Sequence, residues 1–546
     1  MPVRRIVDSI RKNILLNCIW KNLFDPMKAL KELTYIVSKN KVKAINVLEF
    51  QPSNPSRIEA FYHAVVSEKL HSDDEAQAYF FPESDNKSSY RNLKWKLKER
   101  LINTLFFIDT KKPSYSDRQR AYYQCYKDMA AVNILLGKNA RSASVDLCYK
   151  ILKHATKYEF SQLCLDAYRI LRLHYGSRVG DLKKYYAYKE SYDHYANVCY
   201  WENKAEEMYT DLIVHHVNNK STKQDTHERA AVYYTEIKDA TEKIGTYNMY
   251  LYTSLIRLMI YSSVNDHKNI IAVCDEYLQL FEAKPFAANT PLQIYYYQKL
   301  VSFVQMREFE EGERTAELCL PLLEEGAYNW FQYHGLYFML SMYTQRYQKA
   351  YQIYKKIVGH KRFAFLPSNV KEVWKIYKAY LHYLINLGEI EPVEGNRRQL
   401  PKFRLGRFLN EIPIFSKDKR GMNIAILAIQ VLFLIQQKKY NKAIDSLEAI
   451  GKYCSRYLRK EDTIRSYYFI KMLLCIPTAS FHKKGVIRKA APFLEKLKAT
   501  PLADVNQMHS IEIIPYEDLW SFALKSLDDR FYNSQKLNQV LRASGS

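Results

Sequence analysis

Glycine and proline are scarce, with 15 and 17 in 546 residues. A chain poor in both cannot supply the many tight turns of sheet-rich folds, whereas long helices with short connections need few of either. The nine cysteines (Cys18, Cys125, Cys148, Cys164, Cys199, Cys274, Cys319, Cys454 and Cys475) include no CxxC pair, and no Cys/His cluster has zinc-ligand spacing. Their odd number and apolar helical settings fit reduced, buried thiols in a cytoplasmic protein. GxGxxG, GxSxG and HExxH are missing, as is GxxxxGK followed by Ser or Thr. The expectation is therefore a protein that is not an enzyme and needs no metal or cofactor. No apolar run has the length of a membrane span. Ile14-Leu15-Leu16 is interrupted by Asn13, Asn17 and Lys21, with no small-residue cleavage site after it. It reads as an amphipathic helix covering one end of the fold, with no membrane insertion.

What is abundant is apolar content, at 47%, and positive charge, at +24. The first supplies enough material to bury that disorder does not dominate. The second attracts nucleic acid, anionic membrane or an acidic protein. Its scatter along helices also suits plain surface solvation.

The most regular stretch runs from Phe309 to Ile357. Phe309, Gly312, Ala316 and Cys319 share the spacing 0, 3, 7, 10 with Tyr347, Ala350, Tyr354 and Ile357. That spacing puts four side chains on one helical stripe, and small middle members let another helix approach. The stripe recurs at Ala140, Ala143, Leu147 and Lys150; at Leu182, Tyr185, Lys189 and Tyr192; at His227, Ala230, Tyr234 and Ile237; and at His267, Ile270, Cys274 and Tyr277. It appears again at Tyr440, Ala443, Leu447 and Ile450 and at Ile487, Ala490, Leu494 and Leu497. The first six starts, 140, 182, 227, 267, 309 and 347, step by 42, 45, 40, 42 and 38. A period near this length signals a helical solenoid. Between 347 and 440 one second helix is missing, and the Pro- and Gly-rich stretch Gly388 to Lys419 takes its place.

The organisation expected is a helical N-terminal domain over 1–110, a repeat array over 115–388, an irregular basic loop over 389–420, a second repeat segment over 421–527 and a polar tail over 528–546. Within the first, helices are expected near 3–22, 26–48, 57–69, 73–80 and 88–108, with Ser56 and Ser72 as N-caps.

Tyr347, Ala350 and Tyr354, and likewise Tyr440, Ala443 and Leu447, resemble the second helix of tetratricopeptide-type (TPR-like) repeats: an aromatic, Ala three later, then an aromatic or apolar residue four after that. The resemblance covers roughly 115–500 at superfamily level. It departs from the family at Phe338, where Gly or Ala is preferred, and in its longer period. It implies an all-α, right-handed TPR-like α-solenoid whose concave surface binds a peptide or protein partner.

Two candidate sites follow. Arg397, Arg398, Lys402, Phe403, Arg404 and Arg407 form the densest basic patch, with phenylalanines between the cations, and suit an acidic partner or a phosphate backbone. The plain alternative is a flexible insertion kept soluble by charge, its phenylalanines packed on the array. The second is the basic helix carrying Arg91, Lys94, Lys96, Lys98 and Arg100. Residues 57–108 read as helix, turn, short helix, turn, long basic helix, and resemble the winged-helix domain of bacterial transcription regulators that carry a helical-repeat domain. That resemblance implies contacts to DNA phosphates and bases. No wing follows, and Leu93, Leu97, Leu101 and Leu105 equally describe a core stripe. His215, His216 and His227 lack acidic or thiol partners at helical spacing and read as surface histidines. Tyrosines, 46 in all, read as inter-helix filling whose hydroxyls reach helix ends. The leading expectation is a non-catalytic scaffold or adaptor. The alternatives are a nucleic-acid-binding regulator and a repeat subunit of a nuclease or defence assembly.

Overall fold

The computed structural model describes residues 56–67, 69–70, 72–82, 87–107, 115–217, 223–391, 403–412, 422–457, 464–500, 512–533 and 537. The helices expected at 3–22 and 26–48, and most of the tail after 533, lie outside them. Among the described residues the chain is all-α with no named strand; His482 and Asp528 form an isolated bridge. The chain divides into two units, 1–192 and 193–546.

The first unit opens with α1 (Arg57–Val66), α2 (Asp73–Phe80) and α3 (Lys87–Leu105). Ser56 Oγ accepts from the Glu59 amide at 3.3 Å and Ser72 Oγ from the Glu75 amide at 3.2 Å, which fixes where the first two helices start. Phe61, Val65, Ala76, Tyr90, Leu93, Leu97 and Leu101 close one core between the three. Next come α4 (Asp117–Gly137), α5 (Arg141–Lys157) and α6 (Ser161–His174), with α5 packed on α4 and α6 on α5. Then α7 (Leu182–Val217) begins, and the division between the units falls inside it.

In this unit the expected stripes are misplaced. Ala143 and Lys150 are exposed, and the buried side of α5 is Ser144, Val145, Cys148, Ile151, Leu152 and Ala155. Lys150 stands on the flank because its ammonium pairs with the buried carboxylate of Asp128 at 2.8 Å. Leu182 and Lys189 are exposed as well, while Tyr185 and Tyr192 are half-buried, so the second quartet is not a core stripe.

The second unit continues with α8 (Lys223–Ile244), α9 (Tyr247–Ser263), α10 (His267–Glu282), α11 (Asn289–Met306), α12 (Phe309–Cys319), α13 (Tyr328–Tyr343), α14 (Tyr347–Val358) and α15 (Ser368–Leu387). After these come α16 (Leu405–Asn410), α17 (Asn423–Gln436), α18 (Tyr440–Tyr457), α19 (Ile464–Thr478), α20 (Lys483–Lys498) and α21 (Tyr516–Lys525). From α8 to α15 each helix packs on the next, α15 packs on α17, and the sequence of neighbours continues to α21. Here most of the stripes lie inward: Ile270, Cys274 and Tyr277, then Gly312, Ala316 and Cys319, then Ala350 and Ile357, then Ala443, Leu447 and Ile450 are all buried, whereas the last quartet buries Ala490 and Leu497 but exposes Ile487.

The turns explain the regularity. Asn265, Arg307, Gln345 and Lys438 each adopt a left-handed φ near 60°, and each lies two residues before α10, α12, α14 or α18. The amide that follows reaches back over the turn, as Glu308 N does to Phe303 O at 3.0 Å and Arg346 N to Ser341 O at 2.8 Å. This bond satisfies a carbonyl left over at the helix end. The same turn occurs in the first unit at Asn139 and Glu159.

Buried tyrosines tie neighbouring elements together through backbone carbonyls. Tyr380 OH donates to Ala425 O at 2.9 Å and Tyr343 OH to Glu512 O at 2.6 Å. The described cysteines are free, and all but the half-buried Cys475 are buried. Burial pushes the thiols of Cys148, Cys274 and Cys319 up to about 12, so they are inert.

Candidate functional site

A cleft of about 1160 Å³ opens beside α15. Its first wall is a ridge of that helix. Lys371, Lys375 and Lys378 stand at i, i+4 and i+7, half-buried, while Trp374 and Tyr377 turn inward. Gly388, at φ 80°, ends the helix. Lys371 Nζ donates to Ala364 O and Lys375 Nζ to Glu411 O, both at 3.0 Å. These carbonyl partners hold the stems in place without cancelling the charge.

A second wall is α16, a six-residue helix. Phe408 and Ile412 are buried and pin it down. Phe403 stacks on Phe433 with ring centroids 4.6 Å apart and lies 5.5 Å from the Phe408 ring. Both phenylalanines are thus committed to the array, which leaves Arg404 and Arg407 exposed on the rim. Arg407 Nε pairs with Glu411 Oε1 at 2.7 Å. Tyr354, Val358, Phe363 and Trp374 complete the lining.

The cleft is electropositive. Five cations, Lys371, Lys375, Lys378, Arg404 and Arg407, meet the carboxylates of Glu372 and Glu411. The Arg407 hydrogen bond holds the Glu411 carboxyl below its usual range, and Lys375 and Lys378 add to the effect. Burial, helped by Lys378, lowers His382 to about 4, so this ring is neutral at neutral pH and accepts no further charge. Cations around an apolar floor bind an anionic group attached to an apolar body.

Of the residues expected in the basic patch, Phe403, Arg404 and Arg407 are placed in this cleft; Arg397, Arg398 and Lys402 lie outside the described residues. The lysine wall and Trp374 were missed in the sequence. Their signal was there, as three lysines in one helical phase, but that pattern is also an ordinary solvated face.

The second candidate, α3, is built differently. Tyr90, Leu93, Leu97 and Leu101 face the core. Lys94 is half-buried, its ammonium 2.7 Å from Asp73 Oδ1. Arg91, Lys96 and Lys98 are exposed and Arg100 is half-buried. At about 100° per residue, Arg91 and Lys98 flank the exposed Trp95, while Lys96 and Arg100 point to another side of the helix. The five cations do not share one face.

His227 Nδ1 lies 2.9 Å from Ile260 O; contrary to expectation, His215 does have an acidic neighbour at helical spacing, Asp211 four residues before it, 3.4 Å from its Nε2. Among the described residues no group of three His, Cys, Asp or Glu side chains is placed to hold a metal ion. Nor is any described helix long and apolar enough to cross a membrane. No family model, no curated protein and no solved structure matches the chain.

Proposed function

We propose that this protein is a non-catalytic scaffold, an adaptor of the tetratricopeptide-like kind, that holds an acidic segment of a partner protein in the cleft beside α15. The observation that carries this reading is the facing of Lys371, Lys375 and Lys378 by Arg404 and Arg407 over an aromatic floor. Consecutive helices that pack pairwise give a preformed surface, so little ordering entropy opposes binding. The test is affinity capture with wild type and with Lys371→Glu, Lys375→Glu, Lys378→Glu combined. A protein captured by wild type, eluted by salt and lost from the variant supports the adaptor. Identical captured sets from both would remove it.

A second reading, a nucleic-acid-binding regulator, rests on Trp95 standing exposed between Arg91 and Lys98. It is supported by one indole and two cations, against five cations and a cavity for the first. Duplex DNA binding with a steep salt slope that disappears in Arg91→Glu, Lys98→Glu would favour it.

A further inference from the structure

The second unit already contains an example of the ligand its cleft would suit. Its own α21 is acidic in the first turn, at Glu517 and Asp518, and aromatic along its buried face, at Tyr516, Trp520 and Phe522. Cations and rings from other helices receive both features. Arg465 Nη2 donates to Glu517 Oε2 at 2.8 Å and Arg307 Nη2 to Asp518 Oδ2 at 3.0 Å. Tyr516 stacks on Phe469 at 4.3 Å, and Phe522 meets the edge of Tyr347 at 5.9 Å. The cleft beside α15 presents the same pair of chemistries, a cation row and an aromatic floor, at Lys371, Lys375, Lys378 and Trp374.

We infer that the cleft receives an acidic α-helix of a partner protein, with an aromatic or large aliphatic anchor seated on Tyr354, Val358 and Phe363, beneath which Trp374 is buried. This rests on the adaptor reading and adds the shape of the ligand. The lysines lie four and then three residues apart on one helix, so their axial separations are about 6 and 4.5 Å. A partner helix with carboxylates at i, i+4 and i+7 reproduces both steps. An extended segment repeats same-face side chains every 6.6–6.8 Å or so and matches only the first. A helix also presents the anchor on the same stripe as the acids, which is the groove-binding mode of amphipathic helices.

The experiment uses the full chain and fluorescence anisotropy. The probe is a fluorescein-labelled Ala/Leu-framed peptide of about 16 residues, long enough to be partly helical, with Glu at i, i+4 and i+7 and one Trp. A second peptide carries a central Pro, a third has Gln for Glu, and a fourth probe is a single-stranded oligonucleotide of equal charge. The expected result is that the first peptide binds about tenfold or more tightly than the Pro and Gln peptides, three exposed ion pairs being enough for that factor. That advantage disappears in the triple lysine reversal and, on the exposed wall, in Arg404→Glu, Arg407→Glu, which tests the site even where the triple variant misfolds. Equal binding of the Pro peptide overturns the helix and leaves the acidic-partner reading standing. Binding by none of the peptides, binding unaffected by either variant, or tighter binding of the oligonucleotide overturns both.

Discussion

Arg465 and Glu512 form an ion pair sealed from water, Nε to Oε1 at 2.7 Å, with side chains 2% and 0% exposed. Arg465 also reaches Glu517, the Leu497 carbonyl at 3.2 Å and the carbonyl of Thr500. One guanidinium thus ties α19 to the end of α20 and to the segment entering α21. Arg465→Met leaves a buried carboxylate without its cation, which costs roughly 3–5 kcal/mol. Denaturant unfolding of the second unit's signal should show that loss, and Arg465→Met with Glu512→Gln should recover much of it. A single variant as stable as wild type would contradict the assignment.

The left-handed turn residues separate backbone strain from side-chain work. Asn139 tolerates its conformation and makes little use of its side chain, so Asn139→Gly should stay within about 0.5 kcal/mol of wild type. Arg307 has the same φ, but its guanidinium donates to Tyr343 O and Asp518 at 3.0 Å each. Arg307→Gly eases the backbone yet loses a charge-assisted bond to a half-buried carboxylate, for a net cost of about 1–2 kcal/mol. Urea midpoints of the two variants decide between these outcomes.

Close approach between α12 and α13 depends on Gly312, where a Cβ would come within 2.6 Å of Leu340 Cδ2 and 3.3 Å of Phe303 Cβ. Gly312→Val should therefore destabilise by about 1–3 kcal/mol through overpacking. A thermal melt unchanged from wild type would show that the helices can separate there without cost.

Acid should weaken the fold through two buried imidazoles. His334 and His382 are both lowered from 6.5 to about 4, chiefly by burial. Their neutral forms suit the folded state, so the stability is fully present above 6.5. It is lost as pH falls toward 4, because the unfolded chain takes up the protons first. The loss is roughly 3 kcal/mol for each group across that window. His382→Phe should flatten the pH dependence between 6.5 and 4 relative to wild type, and an unchanged slope would exclude the contribution.

Much of the second unit was legible because its stripes place small, buried residues in a fixed helical phase, as at Gly312, Ala316 and Cys319. The first unit was not, for a specific reason. In α5 the inward side is Val145, Cys148, Ile151 and Leu152, and Lys150 sits beside it only because Asp128 receives its charge. Spacing alone cannot tell such a paired lysine from a core position. The cleft was half legible. Phe403, Arg404 and Arg407 stand in a dense basic run, whereas Lys371, Lys375 and Lys378 become a wall only once α16 lies opposite them.

The most direct test of the central claim is a photo-crosslinking residue in place of Asn410, exposed on the cleft's lining. In cells the adaptor reading predicts a crosslink to a protein, through an acid-rich peptide, that is lost in the triple lysine reversal. A crosslink to nucleic acid, or one to protein that survives the reversal, would contradict it.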